Sequence, residues 1–146
     1  MLLRPTSSGS TLYLASLRMR PVYRFRSDSA LAKGWQQAEA GDGIYQHPFG
    51  LPGTESWWSA IDTGHLPVKT SEGVVVAYKP AGDEPGKSAA FTLSDSSTWL
   101  ACDDRGCSMI YREGQRVRVR YVALQPRKSW AKEHKFVLEI ERDDVA

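Results

Sequence analysis

Residues 115–124 read QRVRVRYVAL. Arg116, Arg118 and Arg120 alternate with Val117, Val119 and Tyr121, and Ala123 continues the apolar row. Successive side chains of an extended chain point to opposite faces, so this period of two predicts a half-buried β-strand with its arginines toward water. The neighbouring segments carry the same signal. Residues 135–142 (KFVLEIER) set Phe136, Leu138 and Ile140 against Val137, Glu139 and Glu141. Upstream, GVVVAYK (73–79) is β-branched and ends at Pro80 and the turn-rich AGDEPG, while SAAFTLSD (88–95) places Phe91 and Leu93 on one side. TWLAC (98–102) and residues 107–111 flank Asp103-Asp104-Arg105-Gly106, which reads as a four-residue hairpin loop. Short strands with turn signals between them predict an antiparallel barrel or small sandwich rather than alternating strands and helices.

Before the strands, residues 27–69 offer two short helices. Ser27-Asp28-Ser29 supplies capping oxygens, and Leu31, Trp35 and Ala38 follow on one predicted face, ending at Gly41. A second helix is predicted from Thr54 or Ser56 through Trp57, Trp58 and Ile61, with Gly64 as its stop. Between them Gly41, Gly43, Pro48, Gly50, Pro52 and Gly53 mark an irregular connection. Residues 1–26 hold five arginines and no acid, with only a short apolar stretch at Leu12–Leu17, and read as a polar, disordered or processed tail. The expected organisation is therefore a tail (1–26), a helical and turn-rich segment (27–69) and a β-domain (70–142).

Taken in order, the GVVV opening strand, the long turn, the FTLSD strand (91–95) and EGQRVRVRYV (113–122) resemble OB-fold domains over about seventy residues. The likeness is one of fold pattern, and CDDRGCSMIYREG (102–114) reads as a hairpin where that fold commonly has a helix. What it implies is a mainly β (α+β) protein: a five- or six-stranded antiparallel OB-like barrel preceded by a short helical segment. In such a barrel the loop joining the last two strands helps form the ligand groove. Arg127, Lys128, Trp130, Lys132, His134 and Lys135 fall in or beside that loop.

Charge distribution sharpens the point. The net charge is only +2, from 19 basic and 17 acidic residues. Residues 112–135 nonetheless carry eight basic residues against Glu113 and Glu133, while 136–146 are acidic. Cationic side chains around an indole suit single-stranded nucleic acid, through phosphate contacts and base stacking. The expected ligand residues are Tyr78, Trp99, Arg118, Arg120, Lys128, Trp130 and Lys132. Two other uses of the same residues compete. Arg116, Arg118 and Arg120 are placed to pair across the sheet with Glu139 and Glu141, and the rival reading is a structural or interaction protein whose barrel contacts another protein.

No catalytic residue or cofactor is expected. Asp62-Thr63-Gly64 matches the aspartic-protease triplet, but helical residues precede it and His65 follows, so it reads as a helix C-terminus capped by Gly64. Cys102 and Cys107 lack a C-x-x-C spacing and a second ligand pair, which argues against redox or zinc chemistry. Flanking the hairpin loop, they form a disulfide if the protein is exported and otherwise are two small thiols; a cytoplasmic setting is favoured. No apolar run approaches the ~20 residues of a membrane span.

Overall fold

The architecture is that of a computed structural model, which describes residues 19–80, 89–101 and 111–143. Six strands and two short helices occur among them. Strand β1 (Arg20–Arg24) leads through a 3-10 turn (Phe25–Ser27) to α1 (Ser29–Glu39) and α2 (Glu55–Asp62). Then come β2 (Lys69–Lys79), β3 (Ala90–Leu93), β4 (Thr98–Leu100), β5 (Arg116–Leu124) and β6 (His134–Arg142). They form one sheet in the order β1-β6-β5-β2-β3-β4. The fold is mainly β and antiparallel. The expected barrel is corrected in one respect, because β1 and β4 end this order and the sheet is not closed among the described residues. With only three residues, β4 presents few backbone groups to a further strand. β1 lies inside the span expected to be a tail; residues 1–18, the predicted hairpin loop and both cysteines lie outside the described residues. No described helix is long and apolar enough to cross a membrane.

The chain divides into two compact units. One contains Ser71–Arg118 with the described residues up to Val22 and from Ile140; the other contains Tyr23–Thr70 and Val119–Glu139. In the first, Tyr78, Phe91 and Trp99 are aligned across β2, β3 and β4. The Phe91 ring stacks on Tyr111 at 4.3 Å, and Val75, Leu93, Val117 and Ile140 complete a dry core. Asp95 closes the turn between β3 and β4 by accepting from the Ser97 backbone N–H at 2.9 Å and from the Ser71 hydroxyl.

The second unit is built on aromatic rings. Phe25 meets Phe136 edge-on at 4.7 Å and Trp57 at 5.5 Å, and Trp35 meets Phe136 at 4.9 Å. Such tilted contacts set each ring's positive edge against its neighbour's negative face. Asp28 caps α1 by accepting from the Leu31 N–H at 3.1 Å, and this helix differs from its predicted face. Leu31 and Ala38 are exposed; Ala32, Trp35, Gln36 and Glu39 turn inward. Hydrophobic periodicity misplaced the face because two inward residues are polar and find partners there, Gln36 donating to the Pro52 carbonyl at 2.9 Å. At α2 the sequence reading holds: Thr63 and Gly64 (φ 82°) end the helix, and Asp62 is an exposed partner of Arg26. Along β5, Val117 and Val119 are buried as expected, but the phase then slips. Arg120 and Tyr121 are both half-buried, and Val122 and Leu124 rather than Tyr121 and Ala123 face inward.

Trp57 is almost wholly buried, whereas Leu31 is 41% exposed. Trp57→Ala is expected to lower the unfolding free energy by about 3–5 kcal/mol. Leu31→Ala should change it by about 0.5 kcal/mol or less. Urea unfolding of both variants, followed by tryptophan fluorescence and circular dichroism, checks the contrast.

Candidate functional site

The β5–β6 connection belongs to the second unit, and a facing segment of the same unit fixes its shape. The Gln46 N–H donates to the Gln125 carbonyl at 2.9 Å, and the Gln46 side chain donates to Pro126 O at 3.0 Å. Arg127 N–H donates to Ile44 O at 2.7 Å, while its guanidinium reaches Gly43 O at 2.6 and 3.0 Å. Tyr45 and Pro126 form an isolated bridge. Ala131 N–H turns back to Lys128 O at 3.1 Å, and Gln125 spans the base of the loop to Glu133 at 2.9 Å. The connection is thus tied at both ends by hydrogen bonds.

What holds the facing segment is a carboxylate absent from the sequence-derived site. Glu39, the last residue of α1, has a side chain only 4% exposed. It accepts from the backbone N–H groups of Ile44 and Tyr45, each at 2.9 Å, and from His47 Nε2 at 2.8 Å. Burial alone would raise its pKa, but these donors outweigh it and hold the carboxyl below its usual value. Gly41, at φ 81°, turns the chain away from the helix in the left-handed region. Gly43 lies so close to the carboxylate that a Cβ there would come 2.7 Å from Glu39 O and 2.8 Å from its Oε1. Only the glycine pattern of this stretch was legible; nothing marks Glu39 as the acid that organises it. Pro48, Phe49, Leu66 and Pro67, with His47 and Gln125, also border a cleft of about 290 Å³.

The seven residues expected to form a groove are divided between the two units. Tyr78, Trp99 and Arg118 fall in the first; Arg120, Lys128, Trp130 and Lys132 fall in the second. Trp99 is core, 4% exposed, with its indole N–H donated to Ser97 Oγ at 2.7 Å. Tyr78 is half-buried. Arg118 bonds Glu72 at 3.0 Å and Glu141 at 3.1 Å, and the hydrogen bond to Glu72 is the leading cause of its raised pKa. Arg120 pairs with Glu139 at 2.9 Å. The cross-strand pairing read from the sequence is therefore present. Lys128 bonds Asp42 at 2.6 Å and Arg127 bonds the same carboxylate at 2.9 Å, which lowers the Asp42 pKa. Trp130, at 71% exposure, and Lys132 remain open to solvent.

His134, at the start of β6, stands among Trp35, Tyr45 and Phe136, with ring centroids 5.2, 5.6 and 6.3 Å away. Desolvation there lowers its pKa. Glu39 and His134 are both shifted downward, so each contributes fully above its unfolded value and loses that contribution as pH falls through its folded value. Stability is expected to decline in two steps on acidification. The first begins near 6.5 with His134 and the second below 4.5 with Glu39. His134→Gln should remove the first step. Glu39→Gln should shrink the second and cost about 1.5–3 kcal/mol near neutrality, because hydrogen bonds to a charged group are lost. Urea unfolding across pH 3–8 (about this range spans both groups' ordinary values) reads both.

No curated protein matches the chain. Residues 32–141, about three quarters of its length, match the family model described as Immunity protein RhsI2. The matched span includes Glu39, the segment it holds and the whole β5–β6 connection. An immunity family points to a protein partner, and this overturns the expectation of nucleic-acid binding. The charges give the physical reason that expectation failed: Arg118, Arg120, Arg127 and Lys128 are engaged by carboxylates of the chain itself. By the match over residues 32–141, the chain belongs to the Immunity protein RhsI2 family.

Proposed function

We propose that this protein neutralises a toxin by binding it, with no chemical step of its own. The observation that carries the reading is the family match, which spans most of both compact units. Supporting it, the acidic and basic groups of β5 and β6 serve to hold the sheet together, and the buried Glu39 serves to hold a loop. The partner is a protein, and inhibition follows from occupying its surface. Immunity by binding requires a complex that outlasts the encounter, so affinity and slow dissociation are the quantities under selection.

Growth supplies the test. Toxins of the producing organism that arrest a laboratory host are expressed with and without this chain. At least one is expected to be relieved by coexpression and to copurify with the chain as a stoichiometric complex. Relief without a complex, or no relief for any of them, would contradict neutralisation by binding.

A further inference from the structure

Large apolar side chains left in water are few among the described residues, and Trp130 differs from the rest. It is 71% exposed, against 41–55% for Leu31, Val68, Val76 and Leu100. An indole on a slack loop would fold back onto its own protein and bury itself. Here the loop has no such freedom, because Arg127, Gln125 and Ala131 tie it to Gly43, Ile44, Gln46, Glu133 and its own turn. The residue is therefore carried on a main chain hydrogen-bonded on both sides of it, with its ring mostly in water. Binding through it carries little ordering cost, which is a property of tight interfaces.

We propose that Trp130, with the exposed Lys132 two residues on, is the central contact of the surface that docks the toxin, and that the toxin offers an apolar pocket rimmed by carboxylates. The proposal rests on the immunity reading above and names the surface that reading leaves open. Tryptophan is enriched among the few residues that dominate interface energies, since it fills a pocket with a large rigid ring. The charge beside it fixes the kind of rim. Residues 125–135 carry Arg127, Lys128, Lys132 and Lys135 against Glu133 alone. Asp42 occupies the first two, and Lys135 lies over the Tyr121 ring at 5.6 Å. Lys132, two residues along the chain from Trp130, is left exposed, and a cation there favours an acidic partner over a basic one.

The probe is the toxin returned by the growth test, released from its complex with the wild-type chain and titrated against Trp130→Ala and Lys132→Glu. Trp130→Ala is expected to weaken binding at least about 30-fold, the effect of losing a residue that dominates an interface. Its unfolding midpoint should change little, since the ring is mostly exposed in the free protein. Lys132→Glu should slow association and reverse its salt dependence. Binding by Trp130→Ala within about threefold of wild type would overturn the surface while leaving immunity intact. So would a wild-type dimer that Trp130→Ala converts to monomer, because the ring would then cover a second copy of the chain. A wild-type chain that neither rescues growth nor binds would remove both readings together.

Discussion

A carboxylate taken out of water must recover its lost hydration from fixed donors, or it becomes neutral or destabilises the fold. Glu39 recovers it from two consecutive backbone N–H groups and one imidazole. Backbone donors cannot be supplied without fixing the chain that carries them. The acid therefore determines the path of residues 43–47, and these supply the carbonyls and the amide that hold the β5–β6 connection. One buried charge at the end of α1 thus sets the geometry of a loop more than eighty positions later in sequence. Replacing it with an apolar residue would leave the Ile44 and Tyr45 N–H groups without their acceptor, and the frame of the loop with them.

The basic segment shows how position changes the meaning of charge. In sequence it is a block of cations. In the fold, the arginines of β5 alternate on one side of a strand within reach of acids from β2 and β6. The more exposed of these pairs contribute little individually, and the half-buried Arg118–Glu141 pair counts for more. Asp42 is too open for its two contacts to count strongly toward stability. Their larger effect is to remove cations from the set available to a partner. A polyanion needs several unengaged cations along its backbone, whereas a protein pocket needs one well-placed ring and a modest local charge.

The strands were legible because their information is local. Alternation in 115–124 and 135–142 is a property of ten residues at a time, and so is the turn chemistry that bounds 73–79. Both helices were legible as elements, including the capping of the second by Gly64. The inward face of α1 was not, because Gln36 and Glu39 face inward on the strength of partners at Pro52 and Ile44–His47 that no helical period encodes. The same limit governed the site. Trp99 and Trp130 are the same residue type, each between a hydroxyl residue and an aliphatic one, yet one is the core partner of Phe91 and the other stands in solvent. Burial is decided by strand pairing and loop ties between distant segments, and a single sequence records neither. The slip in β5 has a similar origin: alternation predicts an unbroken phase, and only the three-dimensional surroundings of Arg120 and Tyr121 interrupt it.

The stiffness of the loop frame bears on what kind of recognition it suits. A binder that must accept many partners profits from flexible side chains and movable loops, which repack against each surface at a cost in ordering. The β5–β6 connection is the opposite case: its main chain is bonded at Gln125, Arg127 and Ala131, and its cations near the base are already engaged. Such a frame cannot adjust to a pocket of different shape, so a change in the partner's surface is met by mismatch rather than accommodation. On the proposed docking surface, selectivity would then follow from rigidity itself. Partner preference on that surface would be changed by exchanging the exposed Trp130 and Lys132, while Glu39 and Gly43 keep the frame that carries them.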